Sequence, residues 1–312
     1  MMNIKNRGAL LAAVCVATLS LGACGQGKGE GETKGNPLEN VVDAAKGGDA
    51  TEKFNGYVEG FNKLIDDNWG VQKNYVRYQE LDLPSKSPDA NIHFFENITT
   101  LESALKAIKE ARAMSGNASS NAADAAADKV IANGDKLLAQ WKELAPYYSS
   151  RAYREDALAK GKAAHESLIA NYTATLAAID ELDVAITKYQ RDVAEKRIVD
   201  FRKSGHNTEA DVVEAMYLAD HFTTAVIEEK IADADAQLPK FQAAVTKLRQ
   251  TEQGLAADAT NKSDINSLVG YLESLIGNWR DYKQSNSNSD LESVVDYYNH
   301  AIGEMDDIEM PG

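Results

Sequence analysis

The chain has 312 residues, room for one large domain or two small ones, and 44% of them are apolar, enough to build a core. A formal net charge of −15 repels nucleic acid and anionic lipid surfaces, which are bound through basic patches that this sequence lacks. Cys15 and Cys24 are its only cysteines, so the rest of the chain holds no thiol for a disulfide, a nucleophile or a metal.

Residues 1–23 open with Lys5 and Arg7, continue in an apolar run of 13 residues from Ala9 to Leu21, and close on Gly22 and Ala23. That order is a secretory signal, and the run falls short of the ~20 residues needed to span a bilayer. Leu21-Gly22-Ala23-Cys24 reads as a lipobox, which predicts cleavage after Ala23 and lipidation of Cys24. Cleavage leaves 31 bases against 48 acids, a mature charge of −17. By similarity to Gram-negative lipoproteins, Gly25 in place of Asp implies the periplasmic face of the outer membrane. Residues 25–50 carry seven glycines among Lys, Glu and Asn. Such a segment buries too little to offset its entropy, and as a coil it forms a tether reaching roughly 30 Å.

The body is predicted all-α, an elongated bundle of long antiparallel helices forming a single domain over residues 51–305, with an acidic, frayed tail at 306–312. Phe54, Tyr57, Phe61, Leu64, Asn68, Val71, Tyr75 and Tyr78 keep a 3-4 spacing, which reads as one helix ended by Pro84 and Pro88, with Asn68 as a register-fixing core residue or, alternatively, a ligand contact. A second helix is expected from Ile92 to Met114, then a turn at 115–121. An Ala-rich helix follows through Trp141, broken or kinked at Asn133-Gly134 and bent or ended at Pro146.

The most regular stretch runs from Asp156 to Phe201 on the seam Leu158, Gly161, His165, Leu168, Tyr172 and onward. At 1.5 Å per residue its ~46 residues extend roughly 70 Å. Ser204-Gly205-His206-Asn207 supplies a glycine stop, and Thr208-x-x-Asp211 resembles a capping box for the next helix, which is interrupted near Pro239. Ser263 is expected to cap a further helix, Ser285 to Ser289 form a loop, and Ser289-x-x-Glu292 caps the last helix.

The segment Tyr147-Tyr148-Ser-Ser-Arg-Ala-Tyr153-Arg-Glu155-Asp156-Ala-Leu-Ala-Lys160-Gly161-Lys162-Ala-Ala-His165 resembles the YiiG-like family of bacterial lipoproteins. That family shares paired tyrosines, a further tyrosine, an acidic pair, Lys-Gly-Lys and a histidine. The likeness extends over about residues 50–305. It implies an all-α lipoprotein without a known reaction. Read physically, Asp156 suits a helix N-terminus, Gly161 admits a close neighbour, and Tyr147, Tyr153, Lys160 and His165 are candidates to line a small polar pocket. The bland reading of the same residues is a structural knot between two helices.

No pair among the five histidines has helical metal-ligand spacing, and there is no nucleophile elbow or phosphate loop. A site assembled from Glu214, His221 and a distant acid is the residual metal option. Trp69, Trp141 and Trp279 are candidates for a glycan platform or for core packing. The expectation is a non-enzyme with no cofactor and no metal. It would sit in the cell envelope by the lipid on Cys24 and act through contacts with an envelope protein as adaptor, chaperone-like factor or structural component, with no nucleic-acid partner. The alternative is a small-solute or cation-binding protein using the Tyr/Lys/His pocket. Cys24→Ser is expected to leave the domain folded but move it from the membrane to the soluble fraction; retention as tight as wild type would refute the lipobox.

Overall fold

The computed structural model describes residues 48–94, 96–115 and 121–311. The signal peptide, the lipidation site Cys24, the linker up to residue 47 and most of the turn at 115–121 lie outside the described residues. Among the described residues the regular structure is helical throughout, as the composition and spacing predict. Where the sequence suggests one helical domain, the helices group into two compact units, 48–187 and 188 onward.

The N-terminal unit contains α1 (Gly48–Ile65), α2 (Val71–Leu81), α3 (Ile98–Ala113), α4 (Asn121–Ser149) and the first part of α5 (Ala159–Ser204). The α1 seam is buried as expected: Phe54, Tyr57, Val58, Phe61 and Leu64 are all nearly inaccessible. They pack on α3, which packs in turn on α4. The approach of α3 is close because Gly60 has no side chain. A Cβ there would overlap Ile108 and stand 2.9 Å from the Ala104 carbonyl oxygen.

The first helix does not run on to Pro84. The Asp66 carboxylate accepts the N–H groups of Asn68 (2.9 Å) and Trp69 (2.8 Å), an Asx turn that competes with the helix ladder. Gly70 completes the break, since a Cβ there would lie 2.6 Å from the carbonyl oxygens of Leu64 and Asp66. Asn68 is therefore an exposed turn residue and not a core register residue. Asn74 is the buried asparagine, its Nδ2 donating to the Trp69 and Gly70 carbonyls at 2.9 Å each.

The second helix also begins later than expected. Residues 92–94, 96 and 97 are non-helical, and Asn97 caps α3 by accepting the Thr100 N–H at 3.1 Å. Conversely, α4 passes through Gly134, where the missing side chain makes room for Leu105, and reaches Ser149 with Pro146 in its last turn. The 46-residue α5 is close to the predicted span, and Gly205 at φ +84 ends it.

The C-terminal unit holds the rest of α5 with α6 (Asn207–Ile227), α7 (Ile231–Gly254), α8 (Lys262–Ser285) and α9 (Asn288–Asp307). Each of α6 to α9 packs on the next and α9 returns to α6, closing a ring. Thirteen residues of α6 are buried, ten of them apolar and the others Asp211, Asp220 and Thr223, so this helix is enclosed on most sides. Phe222 on α6 meets the rings of Phe241 and Trp279 at 5.4 Å each.

Local signals were less exact here. The break comes at Glu228 to Lys230, with Glu229 at φ 57, while Pro239 lies inside α7. Neither proposed capping box forms. Asp211 turns instead to Arg202, Lys247 and Thr251, and Ser287, two residues before Ser289, caps α9. Ser263 makes no cap, since α8 starts at Lys262 after Asn261. The tail is docked and not frayed. Ile308 is 5% exposed, Asn261 exchanges two hydrogen bonds with the Glu309 backbone (2.8 and 3.0 Å), and Arg197 donates to the Pro311 carbonyl at 3.2 Å.

Gly60→Ala is expected to cost about 1–3 kcal/mol, because backbone and Ile108 crowd the new methyl and outweigh the ~1 kcal/mol gained in helix propensity. Gly277→Ala in α8, where an added Cβ meets nothing within 4 Å, is expected to stabilise by about 0.5–1 kcal/mol. Urea unfolding of the two variants checks both signs.

Candidate functional site

The segment singled out for its tyrosines closes one end of the N-terminal unit. Tyr147 and Tyr148 leave the last turn of α4 side by side, their ring centroids 5.0 Å apart. Gly161 on α5 receives them: a Cβ there would overlap the Tyr148 hydroxyl and lie 3.4 Å from the Tyr147 ring. The close approach predicted at Gly161 is thus made by two aromatic rings.

Asp156 holds the start of α5 as its position suggests. One carboxylate oxygen accepts the Lys160 backbone N–H at 3.0 Å and the other accepts the Tyr147 hydroxyl at 2.7 Å. These bonds hold the Asp156 carboxyl below the usual carboxylate range, the Lys160 amide contributing most. The Lys160 ammonium sits 5.7 Å over the Tyr147 ring and pairs with Glu143 at 3.1 Å.

Tyr153 is fully buried between these elements and the non-helical segment before α3. Its hydroxyl donates to the Ala90 carbonyl at 3.1 Å and accepts the Ile92 N–H at 3.3 Å. His165 lies one turn beyond Gly161, half-buried, its Nδ1 sharing a 2.9 Å hydrogen bond with the Tyr78 hydroxyl of α2. The structure therefore brings Tyr147, Tyr153 and Lys160 together and gives His165 a separate partner. Tyr153 has both hydrogen bonds satisfied by backbone and acts as a strut.

Sequence reasoning missed how far the rings extend. Tyr78 meets Phe94 edge-on at 6.2 Å, Phe94 stacks on Tyr148 at 4.9 Å, and Tyr172 stacks on Tyr75 at 5.0 Å while accepting the Trp141 indole N–H at 3.0 Å. Beside Phe94 and Tyr148 lies a cavity of about 300 Å³, walled by Asn91 to Phe94, Glu96 and the end of α4. Glu96 and Arg151 line it and carry no local motif that would have flagged them. Burial pushes the phenol of Tyr78 up to about 12, and raises Tyr148 and Tyr172 as well. Burial and the bond to Asp156 likewise bring Tyr147 to about 12. At neutral pH these hydroxyls are uncharged and suited to hydrogen bonding more than to proton abstraction.

A second polar cluster occupies the C-terminal unit. Arg191 donates to the buried Asp220 at 2.7 Å and to Thr224 at 2.9 Å, and the Tyr298 hydroxyl reaches Asp220 at 3.3 Å. His221 packs its ring 4.6 Å from Tyr217, and burial, with the Arg191 charge, pushes its imidazole below the ordinary value. Glu214 pairs with Arg202 at 2.8 Å and Lys247 at 3.4 Å, so the Glu214–His221 metal option is not assembled. Among the described residues no group of three His, Cys, Asp or Glu side chains is placed to hold a metal ion, and no helix is long and apolar enough to cross a membrane. Trp141 and Trp279 are each 1% exposed and Trp69 is 56% exposed, so the three indoles form no common platform.

Tyr153→Phe keeps the ring and strands the Ile92 N–H and Ala90 carbonyl. It is expected to cost about 1–3 kcal/mol and to speed hydrogen exchange at Ile92 selectively. Unchanged stability and exchange would show that water replaces the hydroxyl without loss.

No curated protein and no solved structure matches the chain. The family model described as "Protein of unknown function (DUF3829)" matches residues 49–304, from the first turn of α1 to the last turns of α9, and the chain belongs to that family.

Proposed function

We propose that this is a lipid-anchored envelope protein whose helical body works by non-covalent contact with a protein partner. The lipobox ending in Cys24 and the resemblance to YiiG-like lipoproteins support the anchor. The observation that carries the contact is Trp69, whose side chain stands at the α1–α2 corner with 56% of its surface exposed.

That exposure is built and held. Asp66 fixes the turn through two backbone N–H groups, and Arg77 lies 5.7 Å over the indole while its guanidinium donates to the Asn68 carbonyl at 3.1 Å. Lys73 and Val76 follow on the same face of α2, and both are exposed. Tryptophan and arginine are among the residue types enriched at the energetic centre of protein contacts. The two basic residues also stand out on an acidic chain, which suits an apolar partner surface rimmed with acid.

The test is cross-linking in cells with mass spectrometry on the intact protein, the Cys24→Ser form and Trp69→Ala. One recurring envelope protein is expected, weakened by release from the membrane and lost with the indole, in line with a centre worth about 2 kcal/mol or more. Capture that is indifferent to Trp69→Ala would remove this corner from the interface.

A further inference from the structure

The cavity beside the aromatic cluster goes beyond the Trp69 contact and does not depend on it. Its volume of about 300 Å³ lies at the small end of ligand sites. Its walls are preorganised. Tyr148 is seated on Gly161, Phe94 stacks on Tyr148 with 21° between the ring planes, and Tyr153 pins the backbone on either side of Asn91.

An acidic and a basic residue, Glu96 and Arg151, line this space. Glu96 is half-buried and makes no ion pair with a described residue. Burial raises its carboxyl above the ordinary range. Arg151, an exposed residue just beyond the end of α4, also lines the cavity and makes no ion pair with a described residue. Arg151 also sits in the left-handed region at φ 61, which a non-glycine residue adopts at a cost.

We propose that this cavity binds a free amino acid with an apolar side chain. Its ammonium would pair with Glu96, its carboxylate with Arg151, and its side chain would lie along the Phe94–Tyr148 wall. A simple cation would leave Arg151 unmatched, and a simple anion would leave Glu96 unmatched. The aromatic wall gives the apolar part of the ligand its contact area.

The experiment is isothermal titration of the soluble full-length Cys24→Ser protein with L-leucine, L-methionine, L-phenylalanine and L-tyrosine. N-acetyl-L-phenylalanine and L-phenylalanine amide are titrated alongside, each keeping one of the two charges. Saturable binding of at least one amino acid is expected, with both blocked derivatives weaker than L-phenylalanine by tenfold or more. Glu96→Gln and Arg151→Asn are each expected to weaken binding by tenfold or more. Asn tolerates the left-handed backbone, so Arg151→Asn removes the charge without adding strain. No saturable binding by any of the four, a blocked derivative that binds as well as its parent, or undiminished binding in either variant would overturn the proposal. The blocked derivatives test the unaltered pocket, so a variant that fails to fold does not rescue the idea.

Discussion

The N-terminal unit depends on one hydroxyl group. Helices satisfy their own backbone, so in an all-α unit the costly groups are those of non-helical chain packed against the core. The described residues from Lys86 to Phe94 form such a chain, with Ile92 5% exposed. Tyr153 binds an acceptor at Ala90 and a donor at Ile92, which is what a neighbouring strand would do. Bringing Tyr153 there has a backbone cost. Arg151, Ala157 and Leu158 all have positive φ, at about 1–2 kcal/mol apiece. Local strain is accepted between α4 and α5 so that a distant loop is held.

The C-terminal unit solves a different problem. Its ring of four helices has an apolar interior that many registers would satisfy, whereas buried charges accept few. Asp220 and Asp211 are 5% and 4% exposed, and each faces an arginine of α5. Burial alone would raise the Asp211 carboxyl, yet bonds from Lys247, Thr251 and Arg202 more than offset this and hold it below the usual range. Such pairs add little net stability, because desolvation consumes most of the attraction. Losing one partner is another matter, costing about 3–5 kcal/mol through the charge left behind. The pairs therefore set where α5 lies along α6, while the apolar core supplies the driving force.

The sequence made helices legible where a face meets a core. The α1 seam and α5 with its glycine stop follow from repetition over many turns, which single residues cannot disguise. It was a poorer guide where one side chain competes with the ladder. Asp66 ended a helix whose 3-4 spacing continued unbroken to Tyr78, and Asp211 preferred Arg202 to the cap its position suggested. Pro146 does stand in the last turn of α4, as expected, whereas Pro239 lies inside α7 without interrupting it. The division into two units has no local mark either, since it falls within α5. For the site, the dense run from Tyr147 to His165 located the right end of the unit, and Tyr147, Tyr153 and Lys160 do meet there. Phe94, Glu96 and Arg151 stayed invisible because their proximity comes from a loop folding back across more than fifty residues, for which spacing carries no signal.

The state of these tyrosines decides what kind of work the cluster suits. A phenol used as a base or nucleophile must ionise near working pH, and burial moves Tyr78, Tyr148 and Tyr172 the other way. Four of the hydroxyls are also already engaged, Tyr147 with Asp156, Tyr78 with His165, Tyr153 with the Ala90 and Ile92 backbone, and Tyr172 with Trp141. Rings so fixed lose little entropy when a partner settles on them and present polarisable faces of defined shape. Charge that is not used internally collects at the edges of this wall, at Glu96 and Arg151. If the proposed ligand binds there, its selectivity would come from the spacing of those charges more than from the rings.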